Sequence, residues 1–186
     1  MIIVQIGANR GNDDLTNLIG KTQPDKLILV EPLSIHNEKI QQCYSWVKNL
    51  VIDNVAITIS NDEKITFYFH EKDGPGYEVG SVDKNHVAKH YGWDTSGIKE
   101  VEVNSLTTNN LFKRHKLKKI DILFIDAEGI DDLIIKSIDY SKYDISKIYF
   151  ENLHLSEKDI YDFLAEKGYK ITHKTGTNGW CSLAEK

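Results

Sequence analysis

The chain has 186 residues, 40% of them hydrophobic and 27% charged, with a formal net charge of −5. That length suits one domain with a full-sized core, and no apolar run approaches membrane-spanning length. The negative balance excludes a molecule built as a whole to attract nucleic acid, and no basic segment followed by an apolar one marks a secretory leader at the N-terminus.

The first strand is read at Ile2–Ile6, a continuous apolar run of the kind expected when both faces are covered. It ends in Gly7-x-Asn9-x-Gly11, where glycines let the backbone approach a ligand closely. Asn12 or Asp13 can cap a short helix ending near Gly20. Leu27–Val30 is the second strand and ends in Glu31-Pro32, about twenty residues past the glycine turn. A carboxylate there accepts hydrogen bonds from both hydroxyls of a ribose. The opening stretch therefore points to a nucleoside-containing cofactor.

Ser34 can cap a helix that carries Ile40, Cys43, Tyr44 and Val47 on one face. Leu50–Ile52 is a third strand, followed by Asp53, Asn54 and Val55; Ile65–Phe69 is a further strand. Residues 71–80 contain Gly74, Pro75, Gly76 and Gly80 and read as a flexible loop, a lid over the carboxyl edge with Tyr77, Ser81 and His86 near an acceptor. A helix is expected around Asp83–His90, a minor strand at Val101–Val103 and a helix over Thr107–His115. Lys113–Lys119 holds five lysines and arginines in seven residues and reads as the solvated end of that helix.

Asp121–Ile125 is the strongest strand and runs into Asp126-Ala127-Glu128-Gly129. A helix follows with Ile130, Leu133, Ile134 and Ile138 on one face. Ile148–Phe150 is the next strand, ending in Glu151, with His154 just beyond. Ser156 opens a capping-box-like start for a helix that stops at Gly168, and Tyr169–His173 and Trp180–Leu183 are closing strands. Strands alternating with helices imply a mostly parallel sheet covered on both sides. In such a sheet the glycine turn, Glu31, Asp53, Asn54, Asp126, Glu128 and Glu151 all fall along the carboxyl edge, where open α/β sheets bind ligands. Each acid could singly cap a helix; together they mark a functional edge.

These segments resemble the FkbM-type methyltransferases, which are S-adenosylmethionine-dependent. The matching pieces are Val4–Gly11, Val30–Pro32, Asn54–Ala56, Ile120–Gly129 with Ile130 and Asp131 after it, and Ile148–Glu151 with His154, in the family's order. Ile125–Gly129 is the most specific of them. The resemblance implies a Rossmann-like three-layer α/β sandwich whose mostly parallel seven-stranded sheet has an antiparallel closing strand, and one methyltransferase domain over residues 1–186. It implies that Gly7, Ala8, Asn9 and Gly11 pack under the methionine part of S-adenosylmethionine. Glu31, beside Pro32, would hold the ribose. Asp53, Asn54 and Val55 would border the adenine, and Asp126 would sit near the sulfonium. Gln5 stands where such enzymes commonly carry Asp; it keeps an acceptor oxygen and loses the charge, which Glu128 or Asp126 can supply.

The activity implied is O-methylation of a sugar or another small hydroxylated metabolite, in the cytoplasm, with neither nucleic acid nor membrane as partner; the oligomeric state stays open. Asp126, His154, Glu128 and Glu151 are the candidates for removing the acceptor's proton. No metal is assigned: Asp126, Glu128, Glu151 and His154 offer oxygen and imidazole ligands that leave metal assistance open, but without a diagnostic spacing, and His86 and His90 share a possible helix face with no third ligand evident. Cys43 and Cys181 make neither a metal nor a disulfide pattern and read as small buried residues of a reducing compartment. One alternative is a non-catalytic S-adenosylmethionine-binding module, motivated by Gln5. The other, a nicotinamide-dependent oxidoreductase, is disfavoured because the turn lacks the third glycine of the dinucleotide fingerprint.

Overall fold

Strand β1 (Ile2–Ile6) runs through the middle of a seven-stranded sheet and is buried from Ile3 onward. The structure, a computed structural model, describes residues 1–12, 14–20, 22–151, 157–175 and 181–186. On one side of β1 lie β2 (Lys26–Val30) and then β3 (Leu50–Asp53). On the other lie β7 (Lys119–Ile125), β8 (Asp144–Glu151), β10 (Cys181–Glu185) and β9 (Lys170–Thr175). β3, β2, β1, β7 and β8 pair in parallel, and β10 runs antiparallel to both β8 and β9. This is the mixed α/β fold with an antiparallel closing strand that the resemblance implies.

Alternate residues of each strand feed two different cores, which is why the sequence shows unbroken apolar runs. Val4, Ile6, Ile28, Val30, Leu123 and Ile125 pack with Leu111 and Phe112 of α4 (Thr108–Arg114), Ile134 and Ile135 of α5 (Asp131–Ser137), and Ile160 and Leu164 of α6 (Glu157–Glu166). On the opposite face Ile3, Leu27, Leu29 and Phe124 pack with Leu15 and Ile19 of α1 (Asp14–Ile19), and with Ile40 of α2 (Asn37–Cys43) and Tyr44 beyond it.

The strands expected at Ile65–Phe69 and Val101–Val103 form, but their sheet and length, and several other expectations, need correction. Ile65–Phe69 and Val101–Val103 belong to a second, three-stranded sheet, in the order β4 (Ala56–Thr58), β6 (Ile98–Thr107), β5 (Lys64–His70). β6 spans ten residues because it pairs antiparallel with all of β5, from Lys64↔Asn104 to His70↔Ile98. Its exposed Lys99, Glu100 and Glu102 hide that length from a search for apolar runs. Ser34 does not cap a helix. The chain enters through a 3₁₀ turn at Ser34–His36 with Leu33 before it, and the Leu33 N–H donates to Glu31 Oε1 at 2.9 Å.

Residues 71–80 are not an open loop. Glu71–Gly76 hold 3₁₀ turns on either side of a kink at Gly74 (φ +67°), and Ser81 pairs with Tyr68 through two backbone hydrogen bonds of 2.8 and 2.9 Å. The basic run is only in part a solvated helix end: Arg114 and His115 both reach Asp53, each at 2.8 Å, tying α4 to the end of β3. The Ser156 cap and Trp180 lie outside the described residues, and Cys43 is only half-buried. α3 (Lys84–His90) forms as expected, with the Asp83 side chain accepting from the Asn85 N–H at its start.

Candidate active site

The chain runs outward from β1 through β2 to β3, then returns to pair β7 on the other side of β1. At that reversal the loops leave in opposite directions and open a crevice at the carboxyl ends of the strands. Here it is a cleft of about 610 Å³, its open mouth included, a size typical of small-molecule sites. Gly7 and Asn9 line it from the end of β1, and Glu31 and Pro32 from the end of β2. Val55, Ala56 and Ile57 come from the β3–β4 connection and β4, and Phe67 from β5. Tyr77, Glu78 and Val82 close one side, and Asp126, Ala127, Glu128 and Ile130 the other.

The glycine turn is shaped by contact with the β7 turn. Gly7 has φ +79°, and a Cβ there would stand 1.7 Å from the carbonyl oxygen of Asp126. Gly7 and Ala8 both donate their N–H to the Val30 carbonyl, at 3.0 and 3.1 Å, while the Asp126 N–H donates to Ile6 at 3.0 Å. The three strand ends are thereby locked together. Gly7→Ala is expected to destabilise the fold by about 3 kcal/mol, from left-handed strain plus overpacking. Urea denaturation checks this, and an unchanged midpoint would contradict the packing described.

Glu31 is buried among these groups. Its Oε2 accepts the Asn9 N–H at 2.8 Å and its Oε1 the Leu33 N–H. Burial pushes its carboxyl up to about 7, against the lowering effect of those two amides. Asn54 donates to the Glu31 carbonyl at 2.8 Å and to Asn37 at 2.9 Å, bracing the same corner. The Asn9 side chain donates to the Gly76 carbonyl at 2.9 Å and so joins the glycine turn to the 3₁₀ segment.

Across the cleft lies a second group of acids. Glu128 has φ +48°, a left-handed conformation that costs about 1–3 kcal/mol in a residue with a side chain. Its carbonyl accepts from Ser81 Oγ at 2.7 Å, and its Oε2 lies 3.0 Å from His86 Nε2. Asp131, at the start of α5, accepts the Ala127 N–H at 3.1 Å; burial raises its carboxyl to about 6. Glu151, at the end of β8, is pushed up to about 7 by burial, with the charges of Glu128 and Asp131 adding to the effect.

The structure thus sorts the residues singled out from sequence. Gly7, Asn9, Glu31, Pro32, Val55, Asp126 and Glu128 line the cleft. Gln5, Ala8, Gly11, Asp53 and Asn54 are not on its walls. The Gln5 side chain donates to the Gly7 carbonyl at 3.3 Å, Gly11 packs on Tyr44, and Asp53 faces Arg114 and His115. Glu151 is buried and not on the wall, and His154 lies outside the described residues. Tyr77 faces the cleft as expected, while Ser81 and His86 reach its wall through Glu128. Asp131 carries no site signal in the sequence, because an acid in the first turn of a helix is common enough to look merely structural. Ile57 and Phe67 had no sequence signal, because only the second sheet brings them to the cleft.

A family model, the Methyltransferase FkbM domain, matches residues 5–171. The chain belongs to this family. S-adenosylmethionine is accordingly the methyl donor of this FkbM methyltransferase. The cleft fits it chemically: a buried carboxylate for hydroxyls on one wall, apolar Val55 and Ile57 beside it, and acids opposite for a cationic group. Among solved structures, the ribosomal protein L11 methylase of Lactobacillus delbrueckii subsp. bulgaricus is similar at a TM-score of 0.50. The two are 11% identical, and the match covers 100% of this chain and 69% of that one. The Precorrin-6y C5,15-methyltransferase of Geobacter metallireducens GS-15 aligns at 0.48 with 12% identity, over 100% and 80% of the two chains. At such identities the first likeness speaks to the fold alone. No curated protein sequence matches the chain. Among the described residues, no helix is long and apolar enough to cross a membrane.

Proposed function

We propose that this FkbM methyltransferase methylates a hydroxyl on a sugar or another small neutral metabolite, with residues 1–186 acting as one unit. The observation that carries the reading is the division of the cleft. A buried carboxylate, Glu31, stands on the β2 wall, and the carboxylates Asp126 and Glu128 stand on the β7 wall. In this reading Glu31 accepts from the ribose hydroxyls, Val55 and Ile57 flank the adenine, and the Gly7–Asn9 turn underlies the amino-acid end. When bound, S-adenosylmethionine supplies a methyl group on a sulfonium, already a good leaving group.

The protein's own task is then alignment and proton removal. Asp126 is the residue we assign to take the acceptor's proton, with Glu128 beside it. Glu151, which feels the charges of Glu128 and Asp131, is a buried acid of raised proton affinity. Tyr77, Glu78 and Glu128 give the mouth one aromatic face and two carboxylates. That set suits a neutral, hydroxyl-bearing acceptor, and with the net charge of −5 it disfavours nucleic acid or a phosphorylated substrate. Two free cysteines favour a reducing compartment such as the cytoplasm.

The test is calorimetry with S-adenosylhomocysteine and NAD, followed by a methyl-release assay over a panel of sugars and small alcohols. Binding of S-adenosylhomocysteine with turnover on a hydroxylated acceptor is the expected result. Tight NAD binding alone would overturn it, and product binding without turnover across the panel would favour a non-catalytic module.

A pH dependence follows from Glu31. Ribose hydroxyls donate to the carboxylate and not to the neutral acid, so the ligand favours the ionised form. In the free protein the group titrates at about 7. Affinity for S-adenosylhomocysteine is therefore expected to be full above pH 7 and to fall as pH drops, by about tenfold from pH 8 to pH 6. Calorimetry across that range checks it; a flat profile would remove Glu31 from the ribose.

A further inference from the structure

We propose that His86, His90 and Glu128 bind one divalent transition-metal ion of the Zn²⁺ class, clipping α3 to the β7–α5 turn. The inference goes beyond methyl transfer and does not depend on it. His86 and His90 are four residues apart on α3, so both project from one face. Their rings stand 4.6 Å apart, centroid to centroid. Glu128 comes from the core, and its Oε2 lies 3.0 Å from His86 Nε2. One donor atom from each of the three lies within 4.8 Å of the other two. Ligand atoms around a tetrahedral ion with bonds of about 2.0–2.1 Å are separated by roughly 3.3 Å, so a rotamer-scale adjustment of the exposed His90 closes the set.

Two of the three groups are already fixed in place. The His86 ring is close against Gly129, where a Cβ would stand 2.4 Å from Nδ1. Gly129 also has φ +98°, which suits glycine, and the ring's Nε2 edge is turned to Glu128. Glu128 is held by the Ser81 hydroxyl, which in turn accepts the Asp83 N–H at 3.0 Å, just before α3 begins. The left-handed backbone of Glu128 is then the strain tolerated to aim its carboxylate at the histidine pair.

The donor set selects the ion. Two imidazoles and one carboxylate suit Zn²⁺ and its first-row neighbours. Mg²⁺ and Ca²⁺ prefer oxygen ligands throughout. Three protein ligands leave one position for water, at the edge of a cleft that Glu128 also lines.

The experiment titrates the chelator-treated full chain with Co²⁺, read by its visible d–d bands, and with Zn²⁺, read by calorimetry and by the thermal midpoint. Wild type is expected to develop tetrahedral-type bands and to gain stability with Zn²⁺. His90→Ala and Glu128→Gln should each lose the bands and weaken Zn²⁺ binding by at least roughly tenfold. His90 is exposed and off the cleft wall, so His90→Ala should still fold and bind S-adenosylhomocysteine like wild type. Absence of Co²⁺ bands in wild type, or bands that survive in His90→Ala, would overturn the proposal. Loss of S-adenosylhomocysteine binding in every protein, wild type included, would instead count against the donor cleft and leave the metal readouts to decide this site.

Discussion

Glu31→Ala is expected to weaken binding of S-adenosylmethionine about a hundredfold. Two hydroxyl-to-carboxylate hydrogen bonds are each worth about 1.5–3 kcal/mol, and a loss near 3 kcal/mol is roughly a hundredfold in affinity. The variant also removes the acceptor of the Asn9 and Leu33 amides, at 2.8 and 2.9 Å. Leaving buried donors unmatched costs about 1–3 kcal/mol each. Relief of the burial that pushes this carboxyl up to about 7 offsets part of that cost. Binding is therefore measured on protein shown by circular dichroism to be folded. Glu31→Gln keeps the shape and one acceptor oxygen, and an intermediate loss is expected. A folded Glu31→Ala protein with undiminished affinity would remove the residue from the cofactor site.

The second large effect is on turnover. Asp126→Asn is expected to lower kcat by about 10²–10⁴, the usual contribution of a positioned general base. The replacement has the same shape, and the backbone there is held by the Asp126 N–H to the Ile6 carbonyl. Turnover should accordingly fall by far more than stability, read as the melting temperature. Single-turnover methyl transfer on an acceptor found in the panel measures it. Full activity in Asp126→Asn would end its role as base; a parallel loss in Glu128→Gln would then move the role to Glu128.

Much of this site could be read in the sequence because it is built from strand ends. Buried parallel strands leave unbroken apolar runs, and the first polar residue after each run is fixed at the carboxyl edge. Gly7, Glu31 and Asp126 were legible for that reason. Asp53 follows the same rule yet faces Arg114 and His115, since an edge strand can turn its terminal acid toward a neighbouring helix. Gln5 and Asn54 brace the turn and the Glu31 carbonyl, a distinction that depends on side-chain direction and not on position. The second sheet was the main omission. β4 is three residues long and the first half of β6 carries exposed Lys99, Glu100 and Glu102, so neither carries a strong periodic signal. The partner of the His86–His90 pair was hidden because Glu128 lies 42 residues from His86 along the chain.

In the proposed arrangement one adenosyl donor sits between the β2 and β7 walls. Amide NMR of the ¹⁵N-labelled chain titrated with S-adenosylhomocysteine tests it most directly. Saturable shifts centred on Gly7, Asn9, Glu31, Val55 and Ala127 are expected. Saturable shifts that spare these amides and gather elsewhere on the molecule would contradict it.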